Sequence, residues 1–139
     1  MSFTADVDRW VLATEQRMEK VFKASAQEVI SQAQTTRAEG GNMRVDTGFL
    51  RASGQASTES MPQIDSKARP SAGGSYAYSA SPIELIIASA DLGQTIYFGY
   101  TASYAGYREM QDGFVRLAAQ NWQHIVERVT EEAKRRAAQ

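Results

Sequence analysis

His124 is the only histidine in the chain, and it stands between Trp122 and Ile125 in a helical stretch. A catalytic imidazole needs an orienting acid and a nucleophile within hydrogen-bond reach. No spacing in the sequence supplies them, so His124 reads as a structural or surface residue. Glu131 and Glu132 are adjacent, which makes them diverge around a helix rather than form an acid/base pair. Gly40-Gly41 and Gly73-Gly74 lack the Gly-x-x-x-x-Gly-Lys pattern of a phosphate loop and read as a helix stop and a loop tip. There is no cysteine, which rules out disulfides and thiolate metal sites. No catalytic, cofactor or metal residue is assigned.

Lys134-Arg135-Arg136 falls where positive charge suits a helix C-terminus, although it would also meet DNA or an acidic neighbour. The net charge of -1 gives no basic surplus for phosphates. Tyr97, Phe98, Tyr100, Tyr104 and Tyr107 cluster within a short stretch. Tyrosine joins apolar area to a polar hydroxyl, which suits a subunit interface and equally suits a sheet core. Tyr97, Tyr100, Tyr104 and Tyr107 are therefore candidate interface residues.

The elements that would carry these side chains read as one domain over residues 1–139. With 42% apolar and 22% charged residues, the whole chain has a globular composition. Residues 4–38 are expected to form a long helix with a stripe of Val7, Val11, Met18, Phe22, Val29 and Ala33, widened by Trp10 and Val21. Gly40-Gly41 would stop it. Residues 53–60 suggest an exposed strand, and residues 61–76, rich in Ser, Gly and Pro, a long mobile loop. Residues 84–89 and 95–100, on either side of Asp91-Leu92-Gly93, suggest an antiparallel hairpin, with another short strand at 76–79. Residues 112–138 read as a second long helix, with Asp112 as N-cap. Its stripe is Phe114, Ala118, Trp122, Ile125, Val129 and Ala133. The expected fold is α+β: two long helices, their faces led by Phe22 and Trp122, packed on a small antiparallel sheet. No apolar run approaches the ~20 residues of a membrane span, and the acidic start, with Asp6 and Asp8, lacks the basic region of a secretory leader.

Two stretches carry a resemblance. Val45-Asp46-Thr47-Gly48, then Leu50, Arg51 and Ser53, is followed much later by Tyr104, Ala105, Tyr107 and Glu109, and then by Phe114 and Ala118. In order and spacing this resembles the tail-component family of long-tailed bacteriophages, the neck or tail-completion proteins of siphophages. That family shows Val-Asp-Thr-Gly-x-Leu-Arg-x-Ser, then Tyr-Ala-x-Tyr-x-Glu, then Pro-Phe-x-x-x-Ala. Here Met110-Gln111 replaces the usual Gly-Thr, and Gly113 replaces the proline.

The resemblance implies a structural virion protein with no catalytic site. It would assemble in the host cytoplasm as a closed homo-oligomeric ring, typically a hexamer. The ring would lie between the tail-tube protein and the head-connector proteins, with DNA passing through it unread. A head-side stopper or adaptor ring is the alternative within that class. A nucleic-acid-binding module, and last a small hydrolase built on His124, are the alternatives outside it. The motif residues read as structural: Asp46 or Thr47 capping a helical turn, Gly48 in close approach or an unusual dihedral, and Leu50 anchoring the turn. Arg51 is expected to pair with Glu109, within or between subunits.

Overall fold

The backbone of α1, Phe3–Gln34, is the spine of the molecule; the computed structural model describes residues 3–137. The helix ends at Gln34, short of the expected Ala38. Thr36 and Met43 form a parallel bridge, and a 3-10 turn, Arg37–Glu39, lies between them. The glycine pair closes this turn rather than the helix. Gly40 has φ 96°, and its N–H donates to the Arg37 carbonyl. A Cβ at Gly41 would fall 2.1 Å from the Thr35 carbonyl oxygen.

After an extended stretch, α2 is a single helical turn, Phe49–Ala52, running directly into β1, Gly54–Ser57. β1 pairs antiparallel with β2, Tyr97–Tyr100, so that Gly54 faces Tyr100 and Ser57 faces Tyr97. The expected hairpin does not form. Residues 81–89 fold instead as α3, Ser81–Ser89, with a proline in its first turn, where the missing N–H costs nothing. Ile83 and Ile87 are buried while Leu85 is 70% exposed. A strand would place all three on one face, whereas the i, i+4 pair alone faces inward on a helix. A short apolar run is ambiguous between these two periods. Residues 76–79 form no strand.

The C-terminal third is three helices rather than one: α4, Ala105–Asp112; α5, Phe114–Gln120; and α6, Trp122–Ala137. The chain turns at Gly113, with φ 63°. Asp112 is therefore the last residue of α4 and not an N-cap. The expected final helical residue, Ala138, lies outside the described residues.

The α+β architecture holds, with the two long helices flanking a two-stranded sheet. α1 and α6 run antiparallel: Glu28 pairs with Arg128 at 2.9 Å, and further along α1 the Gln32 side-chain oxygen accepts from Asn121 at 3.2 Å. Two apolar clusters form the core. Ile30, Ile83 and Ile87 gather between α1 and α3; Met43, Leu50, Tyr100, Ala102, Ala105 and Phe114 gather on the other side, and Phe98 packs against both. The buried positions of α1 are Ser25, Ala26, Ile30, Ala33 and Gln34, all in its C-terminal part. The earlier stripe residues Val7, Val11 and Met18 are exposed, as is Trp10. Trp122 remains 41% exposed, so it flanks the helix pair and does not lead its core.

Residues 61–80 are irregular but tied down. Asp65 N–H donates to Thr101 O, Ser103 N–H to Ala68 O, and Tyr76 N–H to Thr47 O, each at 2.9 Å. The Tyr76 ring meets Phe49 edge-on at 5.0 Å, and the Tyr76 hydroxyl accepts from Ser71 N–H. The loop is a strap laid across the sheet end, and the freedom left to it lies between these ties.

The strap depends on Gly48. Its φ is 86°, and a Cβ there would stand 2.2 Å from the Tyr76 carbonyl oxygen. Gly48→Ala is expected to lower stability by well over about 1 kcal/mol, beyond an ordinary Gly/Ala entropy change. It should also open the strap to proteolysis at Lys67 and Arg69. Urea midpoints and limited trypsin digestion of the two proteins check this, and unchanged cleavage would show that the strap is held without the Gly48–Tyr76 contact.

Candidate functional site

The two motif stretches come together although they are distant in sequence. α2 brings Leu50 into the same cluster as Ala105 and Phe114. Thr47 holds the entry to α2, its Oγ accepting from Phe49 N–H at 3.2 Å, while Asp46 stays exposed. Ser53 is buried and donates its hydroxyl to Leu50 O at 2.7 Å. Ala118 is buried on α5.

Gln34, at the last turn of α1, joins this unit. Its side chain, 2% exposed, donates through Nε2 to Arg51 O at 3.0 Å and accepts the Tyr100 hydroxyl on Oε1 at 2.8 Å. Arg51 answers with Nε to Gln34 O at 2.8 Å, and its guanidinium lies 4.7 Å over the Tyr78 ring. Burial drives the Tyr100 phenol far above its ordinary pKa, so it stays a neutral donor to Gln34.

The expected Arg51–Glu109 pair is not made within the chain. Arg51 reaches Glu39 at 3.8 Å. Glu109 instead turns over the start of α5, accepting from Val115 N–H and Arg116 N–H, both at 2.9 Å. The carboxylate satisfies two helix N-terminal donors that α5 cannot pair internally. This fixes the angle at Gly113 between α4 and α5.

Arg44 and Asp112 form the second polar joint. Arg44 Nε sits 2.8 and 3.1 Å from the two carboxylate oxygens, its Nη2 donates to the Gln111 side chain, and Arg37 approaches Asp112 at 3.5 Å. The hydrogen bond from Arg44 holds the Asp112 carboxyl below its ordinary pKa. Sequence reasoning missed both Arg44–Asp112 and Gln34. Nothing local links residues 68 apart, and a glutamine at a helix end signals nothing by type.

Of the four candidate interface tyrosines, Tyr100 belongs to the core. Tyr97 and Tyr104 are half-buried, and burial raises the Tyr104 phenol while contacts with Leu50 and Thr47 oppose the shift. Only Tyr107 stands clear, at 65% exposed, with Met110 fully outward one turn along α4. Both motif stretches line a cleft of about 20 Å³, room for roughly one water, so the motif holds chain to chain and offers no substrate pocket. His124 is exposed on α6. Among the described residues no group of three or more His, Cys, Asp or Glu is placed to hold a metal, and no helix is long and apolar enough to cross a membrane.

Comparison of the chain with protein-family models, with curated proteins and with solved structures finds no match.

Two outcomes follow from the joints. Tyr100→Phe leaves Gln34 Oε1 buried without a donor and is expected to cost about 1–3 kcal/mol; thermal or urea unfolding measures it, and an unchanged midpoint would show that water replaces the hydroxyl. Because the Asp112 pKa is lower folded than unfolded, the stability it contributes is complete above its ordinary value of 3.8 and is lost as pH falls through the folded value. Asp112→Asn should flatten the fall in urea midpoint below pH 4, and an identical acid limb in both proteins would remove Asp112 from the account.

Proposed function

We propose that this chain is a structural subunit of a long-tailed bacteriophage neck. It would form a ring that completes the tail tube and joins it to the head connector, with DNA passing through. The observation that carries this reading is the packing of the two resembling stretches, residues 43–53 and 104–118, into one framework. Leu50 meets Phe114 there, and Arg44 meets Asp112. Their side chains are engaged in holding the scaffold, which is the use a ring subunit has for them. A cyclic ring needs two different surfaces on each subunit that fit head to tail. Tyr107 and Met110 on α4 supply one exposed apolar patch of the kind interfaces favour.

The nucleic-acid alternative finds less support. Arg17, Lys20, Arg128 and Arg136 on the α1–α6 face are interleaved with Glu28 and Glu132, where phosphate binding calls for an uninterrupted basic surface.

The test is the mass of the purified chain, alone and mixed with tails or heads lacking it. A closed ring of about six copies that attaches to tail ends is expected. A chain that binds neither tails nor heads, and is absent from purified particles, overturns the neck reading. Tyr107→Asp should leave the folding midpoint within about 0.5 kcal/mol, the usual surface value, while leaving heads and tails unjoined. Tyr100→Asp, by contrast, should not give a folded subunit, because it puts a carboxylate into the core. Normal joining with Tyr107→Asp would place the subunit contact elsewhere.

A further inference from the structure

The N-terminal part of α1 extends past the last described residue of α6. α6 ends beside Arg17, where Ala137 and Arg17 line the same surface. Residues 3–16 therefore lie beyond that point, over roughly 20 Å of helix. This arm is not polar. Phe3 is 83% exposed and Trp10 69%, with Val7 and Val11 also exposed. At 100° per residue these four fall on one stripe, and that stripe continues into Met18, Val21 and Phe22. It is the same face that α6 flanks further along, left open where α6 stops.

Beside the arm's base lies an apolar groove of about 690 Å³, between Met18 and Phe22 of α1, Leu92 of the loop before β2, and Trp122 and Val126 of α6. The molecule thus presents an exposed apolar helix face and an apolar groove.

We infer that the arm of one copy docks in the groove of a second copy of this chain. The chemistry of the two surfaces matches. The arm carries Asp6, Asp8 and Glu15 against Arg9, which pairs with Asp6; the groove rim carries Arg17 and Lys134, with Arg135 and Arg136 following on α6. The area matches too. Two aromatic side chains bury roughly 300–500 Å², and the arm's valines extend this toward the ~800 Å² that each partner buries in a stable interface. Arm and groove are different surfaces, so the contact is heterologous and propagates from copy to copy until it closes. It supplies a joint between neighbours in the ring proposed above, in addition to the Tyr107–Met110 patch, and rests on that reading for the closure of the ring but not for the contact itself.

The chain has no cysteine, which makes a crosslinking test clean. Trp10→Cys and Leu92→Cys are made in separate full-length chains, then mixed under oxidising conditions. Within one chain Trp10 lies roughly 18 Å along the helix from the groove residue Phe22, beyond the ~7 Å Cα reach of a disulfide. The expected result is a mixed dimer band of Trp10→Cys with Leu92→Cys. In parallel, the double variant Val7→Asp, Trp10→Asp should keep its helical signal and melting midpoint while its self-association weakens at least a hundredfold by sedimentation.

A wild-type chain that stays monomeric at tens of micromolar overturns the inference. So does an oligomer untouched by the double variant. Arm-dependent association that crosslinks Trp10→Cys to itself but never to Leu92→Cys overturns the groove as the docking place and makes arm-to-arm pairing the contact. A monomeric chain would remove the free ring expected above without deciding the neck reading, which the presence or absence of the chain in purified particles decides.

Discussion

The side chain of Gln34 is the point on which the motif half of the molecule depends. It is buried at the end of α1 and has both ends of its amide engaged, one by the Arg51 carbonyl and one by the Tyr100 hydroxyl. An unpaired amide in that place would cost far more than a paired one gains. The arrangement is therefore close to all-or-none: α2, β2 and the end of α1 must be in register together. The glycine at the start of β1 is part of the same constraint, because a Cβ on Gly54 would stand 2.7 Å from Gln34 Nε2.

From that joint the remaining elements follow by contact. Arg51 closes the reciprocal bond to Gln34 O and stacks on Tyr78, which brings in the end of the strap. Tyr100 stands edge-on to Phe114 at 5.3 Å, which brings in α5, and Glu109 sets how α5 leaves α4. Arg44–Asp112 locks the extended segment before α2 to the end of α4. Charge and hydrogen bonding here select one geometry among several apolar packings of similar area, since the core clusters alone would tolerate repacking.

The two ends of α1 contrast. One end is fixed by buried polar bonds and a packed core. The other is an amphipathic helix with an exposed apolar stripe, beside an apolar groove. Contiguous exposed apolar area is of the kind that marks interaction surfaces, where the same area folded inward would add only to the stability of the monomer.

The sequence by itself determined the class of the molecule and the ends of its frame. The long first helix, the strands near residues 54–57 and 97–100, the short turn at Phe49, the irregular course of residues 61–76 and the α+β class were legible because each rests on local periodicity or turn chemistry, whereas the bonds that tie residues 61–76 down as a strap in place of the expected mobile loop were not. Gly48 was legible as a backbone requirement because few other residues adopt its dihedral. Tertiary structure decided the rest. Ile83-Glu84-Leu85-Ile86-Ile87 carries no period of its own, and only the burial of Ile83 and Ile87 against Ile30 made it a helix. The last long helix broke at Gly113, where Glu109 caps the start of α5 and Asp112 pairs with Arg44 across the fold. Tyr100 became a core residue through packing and through its bond to Gln34, 66 residues away in sequence. Pairings between distant positions depend on where the chain brings them, and local pattern carries no term for that.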